Sequence, residues 1–165
     1  MGNNSFFYPS VSLSFIFNDV LNLPRVLSYG KLRGSVGEVG KDTEPYRTST
    51  VYAKGLGFPI DGILGFSRDN IRGSNELKPE RTRTIEFGTD LNFFENRLGL
   101  EFTWYKANGR DQIFEVPVSE TTGYPIIVMN VGEIENKGIE LILSGTPVVA
   151  GDFRWDVLVN YTRNR

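Results

Sequence analysis

The chain has 165 residues, with 18 basic and 20 acidic side chains and neither cysteine nor histidine. Without cysteine, disulfides, thiolate nucleophiles and Cys-ligated metal sites are excluded, and without histidine the most common general base is missing. The formal net charge of −2 argues against nucleic acid as a partner, because a basic surface is needed to neutralise phosphates. We therefore expect no nucleic-acid partner and no cofactor.

The composition favours strands and turns over helices, since the chain contains 12 Phe, 7 Tyr and 18 Gly. No apolar run approaches the length of about 18 residues that a transmembrane helix needs. The first residues also lack the basic and apolar regions of a signal peptide, so none is expected within this chain.

Six segments show the period-2 alternation of β-strands, in which every second side chain points to the same face. Serine or charged residues occupy most positions on the opposite faces. The apolar faces comprise alternate residues of segments 11–17, 32–36, 85–93, 98–104, 139–143 and 153–161. The pattern predicts an all-β fold, an antiparallel meander of about six long strands.

Short and long connections alternate between these segments. Residues 38–79 and 107–131 are predicted to form the long connections, whereas Glu95-Asn96 and residues 147–152 are predicted to be tight turns. A transmembrane β-barrel sorts its connections in this way, because short turns lie on one side of the bilayer and long loops on the other. Strands of roughly 9–13 residues also suit a tilted crossing of the hydrocarbon layer.

The chemistry of the strand faces favours a membrane barrel as well. The apolar faces are almost free of charge, and aromatic residues lie at strand ends, in segments 6–8, 93–94 and 153–155. Such aromatics match the interfacial girdles of outer-membrane barrels. A secreted antiparallel β-sandwich that binds carbohydrate remains the alternative, because alternation alone does not distinguish a hydrated lumen from bulk solvent.

Motifs along nearly the whole chain resemble those of SusC/RagA-type TonB-linked outer-membrane proteins. Residues 7–14 (FYPSVSLS) are similar to the family's FPSVSLSW strand, and residues 27–37 (LSYGKLRGSVG) to its LKLRASYG strand. Residues 77–82 (LKPERT) with 86–90 (EFGTD) resemble a motif common in TonB-dependent receptor barrels. Matches at residues 111–113, 122–124 and 130–141 (NVGEIENKGIEL) follow in the family's order.

The resemblance implies an active importer in the outer membrane of a Gram-negative, Bacteroidetes-like cell. Such proteins hold a plug domain inside a barrel of about 22 strands. A TonB complex supplies energy through the plug, and a SusD-like lipoprotein delivers a glycan or peptide ligand. Residues 1–165 are then expected to be a slice of the barrel in contact with outer-membrane lipid, without a plug domain and without closing on itself.

The expected architecture suggests two sets of site residues. Charged residues on the polar strand faces are predicted to line the lumen and to pair with one another or with the plug: Lys31, Arg33, Glu86, Asp90, Glu101, Arg154 and Asp156. Aromatic residues in the long connections are predicted either to contact ligand or to pack the loops internally: Tyr46, Tyr52, Phe58, Phe66 and Tyr124.

One acidic cluster raises a third hypothesis, an acidic glycosidase. Glu133, Glu135 and Glu140 supply carboxylates, and glycoside hydrolysis needs two of them at a defined separation. Alternation along the strand places Glu140 toward a hydrated lumen, while Glu133 and Glu135 lie near a loop. We therefore predict no catalytic residue, no metal site and no enzymatic function.

Overall fold

The computed structural model describes residues 5–18, 20, 21, 24 and 26–165. Residues 1–4 lie outside the described residues, and so does the start of the chain, in which no signal peptide was expected. In the part of the chain that is described, no helix has both the length and the apolar character needed to span a bilayer.

The described residues form eleven strands and one short 3₁₀ turn, Glu120–Thr122. In chain order the strands are β1 (Ser10–Ile16), β2 (Leu27–Lys41), β3 (Tyr52–Lys54), β4 (Phe66–Arg68), β5 (Ile71–Arg72), β6 (Glu80–Phe93), β7 (Leu98–Arg110), β8 (Ile113–Pro117), β9 (Ile126–Asn130), β10 (Ile134–Ala150) and β11 (Phe153–Asn164).

The chain divides into two units, and the first contains one antiparallel sheet of six strands in the order β1-β2-β6-β7-β10-β11. The strands neighbour one another in sequence order once β3–β5 and β8–β9 are set aside, so the predicted meander of six long strands is confirmed. Several strands extend beyond the predicted segments. β6 begins at Glu80 because backbone pairing continues through residues 80–84 (ERTRT), which carry no apolar residue from which alternation could be detected.

The predicted turn over residues 147–152 is too long. Pro147 and its neighbours up to Ala150 belong to β10, and the turn consists of Gly151 and Asp152, with Gly151 at a φ of 58°. A register shift between Gly145 and Val148 interrupts the pairing with β11. Proline has no N–H to donate, and an irregularity of this kind accommodates it inside a strand.

The strand register supports the predicted division into two faces. Val11 lies opposite Val36 and Phe15 opposite Leu32, whereas Ser14 lies opposite Arg33. At the other edge of the sheet, the apolar side chains pair in the same manner, Leu141 opposite Tyr161 and Leu143 opposite Val159. Each face is therefore continuous from strand to strand within both edge pairs.

The apolar face of this sheet is exposed. Leu13 is 77% exposed, Val11 and Val159 are also exposed, and the one buried apolar side chain among the described residues is Val128, which lies in the other unit. A β-sandwich buries its apolar faces between two packed sheets. The sandwich alternative is therefore wrong for this chain, and a sheet that turns its apolar face outward is typical of a lipid-facing barrel wall.

The second unit comprises residues 40–81 and 109–134, which include the whole chain between β2 and β6 and between β7 and β10. The long connections are therefore residues 42–79 and 111–133, rather than the predicted 38–79 and 107–131. It contains a three-stranded sheet in the order β5-β9-β8 and a separate two-stranded pair, β3 with β4. β5 runs parallel to β9, and β8 runs antiparallel to it. The sequence predicts irregular loops here, because strands of two to five residues are too short to display a clear period.

Candidate functional site

A cluster of charges occupies the polar face of the six-stranded sheet. The Arg33 guanidinium lies between two carboxylates of β6, with Nη1 3.5 Å from Glu86 Oε1 and Nε 3.6 Å from Asp90 Oδ1. Lys31 Nζ lies 3.4 Å from the other oxygen of Asp90. Arg33 Nη2 also donates a 2.7 Å hydrogen bond to Thr103 Oγ1 on β7. Four of the predicted lumen residues are thus brought together, and three neighbouring strands share the polar face.

Gly88 makes room for this cluster, a role that the alternation of residues along β6 does not predict. It lies between Glu86 and Asp90 on the same face of β6, and the Arg33 side chain crosses it. A Cβ atom at position 88 would lie 2.5 Å from Arg33 Nε, well inside van der Waals contact. The glycine of the EFGTD segment therefore allows one arginine to reach both flanking carboxylates.

The remaining predicted lumen residues lie apart from this cluster. On β11, Arg154 Nε donates to both carboxylate oxygens of Asp156 at 2.9 Å, and Asp156 accepts a 2.6 Å bond from Thr146. Glu101 is exposed on β7, two residues before Thr103. Leu158 is also exposed on the face of Asp156, so this face is not uniformly polar. That these residues line a lumen stays a prediction.

In the second unit, the Asn130 side chain joins two segments that are far apart in sequence. Its Oδ1 accepts a 2.8 Å bond from the Lys78 N–H, and its Nδ2 donates to the Lys78 carbonyl at 2.7 Å. The same amide donates to the Asp111 carbonyl, also at 2.7 Å. Lys78 belongs to the LKPERT segment and Asn130 begins the NVGEIENKGIEL segment, so two motifs recognised separately in the sequence form one clamp.

Charged side chains reinforce this connection. Glu80 Oε1 accepts a 2.9 Å bond from the Ile113 N–H, and Glu80 Oε2 lies 3.9 Å from Lys41 Nζ. Arg47 pairs with Glu44 at 3.1 Å and with Glu115 at 2.9 Å. Because Arg47 and Glu115 come from different long connections, the two connections form one structural unit rather than two independent loops.

A cleft of about 820 Å³ lies within this second unit. Its walls are residues 72–78, Asp111 and the last four residues of β9, 127–130. The Asn130 clamp closes one end, and the pairing of β5 with β9 closes the other. This cleft was not predicted, because its walls come from segments about 50 residues apart whose proximity no local pattern encodes.

Three of the predicted loop aromatics are free to meet a ligand. Tyr46, Tyr52 and Phe66 are 75%, 69% and 70% exposed. Phe58 is half-buried instead, and its ring packs against Gly55 and Gly65, where no side chain would fit. Phe58 therefore packs within its own loop, which is one of the two roles predicted for the loop aromatics.

Tyr124 is also engaged within the second unit. The Arg68 guanidinium lies 3.9 Å from the centre of the Tyr124 ring and donates a hydrogen bond to the Gly123 carbonyl. A side-chain hydrogen bond with Thr50 and the positive charge of Arg68 lower the pKa of Tyr124 from its usual value. One face of the ring is therefore covered by a cation. Ligand contact by any of the five aromatics stays a prediction.

Two of the three carboxylates considered for catalysis, Glu133 and Glu135, are paired with cations. Glu133 lies 3.6 Å from Arg110, and Glu135 accepts from Lys106 and Lys137 at 2.8 and 2.9 Å. Across the described part of the chain, no group of three or more acidic side chains is arranged to hold a metal ion. Charge pairing accounts for Glu133 and Glu135, whereas Glu140 is exposed on β10, and the absence of a catalytic role stays a prediction.

A six-stranded antiparallel meander with one exposed apolar face and one charged face has the structure of a barrel wall, and comparison with known proteins agrees. The chain matches the family described as "TonB dependent receptor-like, beta-barrel" over residues 2–165, and it belongs to that family. This result confirms the predicted fold class and the resemblance to SusC/RagA-type proteins.

Curated relatives include two receptors from different bacteria. TonB-dependent receptor P3 of Formosa agariphila is 31% identical over 99% of this chain and 17% of its own length. TonB-dependent receptor SusC of Bacteroides thetaiotaomicron is 29% identical over 95% of this chain and 16% of its own length. The chain thus spans about a sixth of the length of the curated relatives it matches.

Among solved structures, the chain is similar to one in the RagAB peptide transporter. The TM-score is 0.84 and the identity 26%, over 96% of this chain and 17% of the matched chain. A structure of the RagAB peptide importer in an open state gives a TM-score of 0.80 at the same identity, over 98% of this chain and 18% of the matched one.

Proposed function

We propose that residues 1–165 are part of the wall of an outer-membrane β-barrel through which a nutrient, a glycan or a peptide, is actively imported. The observation that carries this proposal is the sheet itself. Its exposed apolar face suits lipid, and the opposite face carries the Arg33, Glu86 and Asp90 cluster, which suits water. Family membership supports the same conclusion.

The paired charges suit a hydrated transport path. The Arg33 guanidinium is held by two carboxylates and a hydroxyl group. The polar face therefore exposes polar groups to a passing ligand, while the charge of Arg33 is compensated. A ligand that carries its own polar groups exchanges water for such groups at little cost. No covalent chemistry is needed, and selectivity would come from the lumen and the loops.

The energy source and the partners are proposed from the relatives. The two relatives described above are named as TonB-dependent receptors. We therefore propose that the whole protein contains a plug domain outside residues 1–165 and that a TonB complex acts on this plug. The similarity to SusC and to the RagAB importers supports a SusD-like lipoprotein as the partner that delivers the ligand. Outer-membrane lipid would surround the apolar face.

The connections define the proposed orientation. Successive antiparallel strands reverse direction, so the connection from β2 to β6 and that from β7 to β10 leave the same end of the sheet. The turns at residues 94–97 and 151–152 lie at the opposite end. Outer-membrane barrels keep their periplasmic turns short, so we assign the long connections to the cell surface.

Uptake by a deletion strain tests this function. The full-length gene is removed, and growth is measured on a tryptic digest of casein and, separately, on a panel of soluble plant and algal glycans as the limiting nutrient. We expect a growth defect on one class, restored by the intact gene but not by a copy that lacks its TonB-interacting segment. Unchanged growth and uptake on every nutrient would refute the importer proposal.

A further inference from the structure

We propose that a cluster of cations on the apolar face of the six-stranded sheet binds the phosphate group of a glycolipid in the outer leaflet of the membrane. The cluster consists of Lys106 on β7, Lys137 on β10 and Arg163 on β11. The inference rests on the proposed function for the orientation of the barrel. It adds a lipid-binding site on the face opposite the proposed transport path.

The strand register places two of these cations on the face that carries the apolar residues. Arg163 lies directly opposite Ile139, and Tyr161, two positions earlier on β11, lies opposite Leu141. Every second residue of a strand points to the same face, so Lys137 lies on this face as well, two positions before Ile139. Arg163 is exposed and takes part in no ion pair among the described residues.

Glu135 brings the two lysines of the cluster together. Lys106 Nζ lies 2.8 Å from Glu135 Oε2, and Lys137 Nζ lies 2.9 Å from Glu135 Oε1. Because an ammonium group has three N–H donors, each lysine keeps donors for a second acceptor. Three positive charges face the single negative charge of Glu135, so the cluster has a net charge of +2.

The cluster begins where the apolar face ends. Trp104 precedes Lys106 by two positions on β7, and Tyr161 precedes Arg163 by two positions on β11. Trp and Tyr are enriched at the level of the lipid headgroups, and long cationic side chains extend along apolar surface to place their charge in that layer. The three cations therefore lie where the headgroups of the surrounding lipid are expected.

The two ends of the apolar face differ in charge. The cluster lies at the end of the sheet from which the long connections leave. At the short-turn end, the apolar face of the described strands carries no cation, and its outermost residues include Phe93, Leu98 and Phe153. Phosphate-bearing lipids are present in both leaflets of an outer membrane. The one-sided placement of the cations therefore favours a headgroup of the outer leaflet, which in Gram-negative cells is mainly phosphorylated glycolipid.

A phosphate group matches the chemistry of the cluster. The Arg163 guanidinium offers a planar fork of N–H donors that suits two phosphate oxygens, and a lysine ammonium binds phosphate as a compact charge. Cations at the membrane surface attract anionic headgroups. A phosphate would offset the charge that Glu135 alone leaves uncompensated, while the acyl chains of the same lipid pack on the neighbouring apolar residues.

The test uses the full-length receptor, purified in detergent. Native mass spectrometry counts the lipids that stay bound after addition of a short-chain lipopolysaccharide with phosphorylated lipid A. The triple variant Lys106→Gln, Lys137→Gln, Arg163→Gln should bind this lipid at least tenfold more weakly and retain one molecule fewer per receptor. Arg97→Gln removes an exposed cation at the short-turn end and should bind the lipid as the unmodified receptor does.

The single variant Arg163→Gln separates lipid binding from folding, because it breaks no ion pair. It should weaken binding roughly threefold or more while heat-modifiable gel mobility stays unchanged. Arg163→Lys keeps the charge and should recover part of the loss. Equal binding by the unmodified receptor, Arg163→Gln and the triple variant would overturn the proposal.

Two further lipids identify the group that is recognised. The same lipopolysaccharide, stripped of its phosphates with hydrogen fluoride, should bind at least tenfold more weakly. Dioleoylphosphatidylglycerol should bind equally to the unmodified receptor and to the triple variant. Undiminished binding of the stripped lipid would show that phosphate is not recognised, and a loss of phosphatidylglycerol in the triple variant would show that the site does not select glycolipid. Either result would overturn the assignment.

Failure of this inference is separable from failure of the proposed function. Complementation of the deletion strain measures import, whereas native mass spectrometry measures lipid binding. A receptor that restores growth but binds the phosphorylated lipid equally with and without the three cations is an importer that lacks this lipid site.

Discussion

The hydrogen bonds of the Asn130 side chain with Lys78 and Asp111, the Asn130 clamp, are expected to stabilise the second unit. Asn130→Asp preserves the size of the side chain but replaces its N–H₂ group with an oxygen. The two hydrogen bonds to the Lys78 and Asp111 carbonyls are lost, and a negative charge faces both carbonyl oxygens. We expect residues 72–78 to detach from β9 far more often.

The magnitude follows from the two bonds that disappear, each 2.7 Å long. A typical intramolecular hydrogen bond contributes a net 0.5–1.5 kcal/mol, so their loss lowers the free energy of local opening by about 1–3 kcal/mol. Because 1.4 kcal/mol is a factor of ten, the open population should rise roughly 5- to 150-fold. The clamp lies at the surface, which favours the lower half of this range.

Amide hydrogen exchange of the full-length receptor in detergent measures this opening directly. Protection of segment 72–78 should fall in Asn130→Asp, while strands of the six-stranded sheet keep theirs. Asn75→Asp is the matched control, since it makes the same chemical change in the same segment at a side chain that does not form the clamp. Equal protection of the segment in both variants would refute the structural role assigned to Asn130.

Two further predictions concern the sheet. Leu100→Arg places a cation on the apolar face, at a cost of about 2–4 kcal/mol near the middle of the bilayer, whereas Glu101→Arg alters only the polar face. Heat-modifiable gel mobility should therefore show impaired assembly for Leu100→Arg alone, and equal assembly would invert the faces. Gly88→Ala forces Arg33 aside and should destabilise the barrel by about 1–3 kcal/mol. Gly34→Ala should not destabilise the barrel, because its Cβ atom would lie 3.9 Å from the Glu86 carbonyl oxygen. Equal melting temperatures of the two variants would contradict the packing of Arg33 on Gly88.

The sequence predicted the sheet well because alternation is a local signal. Apolar residues at every second position of segment 85–93 indicated both the strand and its faces, and β6 confirms the strand. The same signal failed at residues 80–84, where every residue is polar, and at Pro147, which a bulge accommodates. Strand ends are therefore less predictable than strand centres.

The candidate site was only partly predictable. Pairing among the lumen charges was one of the expected outcomes, and Arg33 with Glu86 and Asp90 matches it, because residues on one face of adjacent strands must meet. The Asn130 clamp was not foreseeable. Asn130 and Lys78 are 52 positions apart, and nothing in either local pattern indicates that a side chain joins them.

The measurement that tests the account most directly is the accessibility of the connections on living cells. Single cysteines are placed at Ser67, Thr121 and Asn96, all exposed, in a full-length receptor freed of other reactive cysteines. If the long connections lie at the cell surface, a membrane-impermeant maleimide labels positions 67 and 121 on intact cells. Position 96 is labelled only after the outer membrane is permeabilised. Labelling of position 96 on intact cells, with 67 and 121 silent, would contradict the proposed barrel topology.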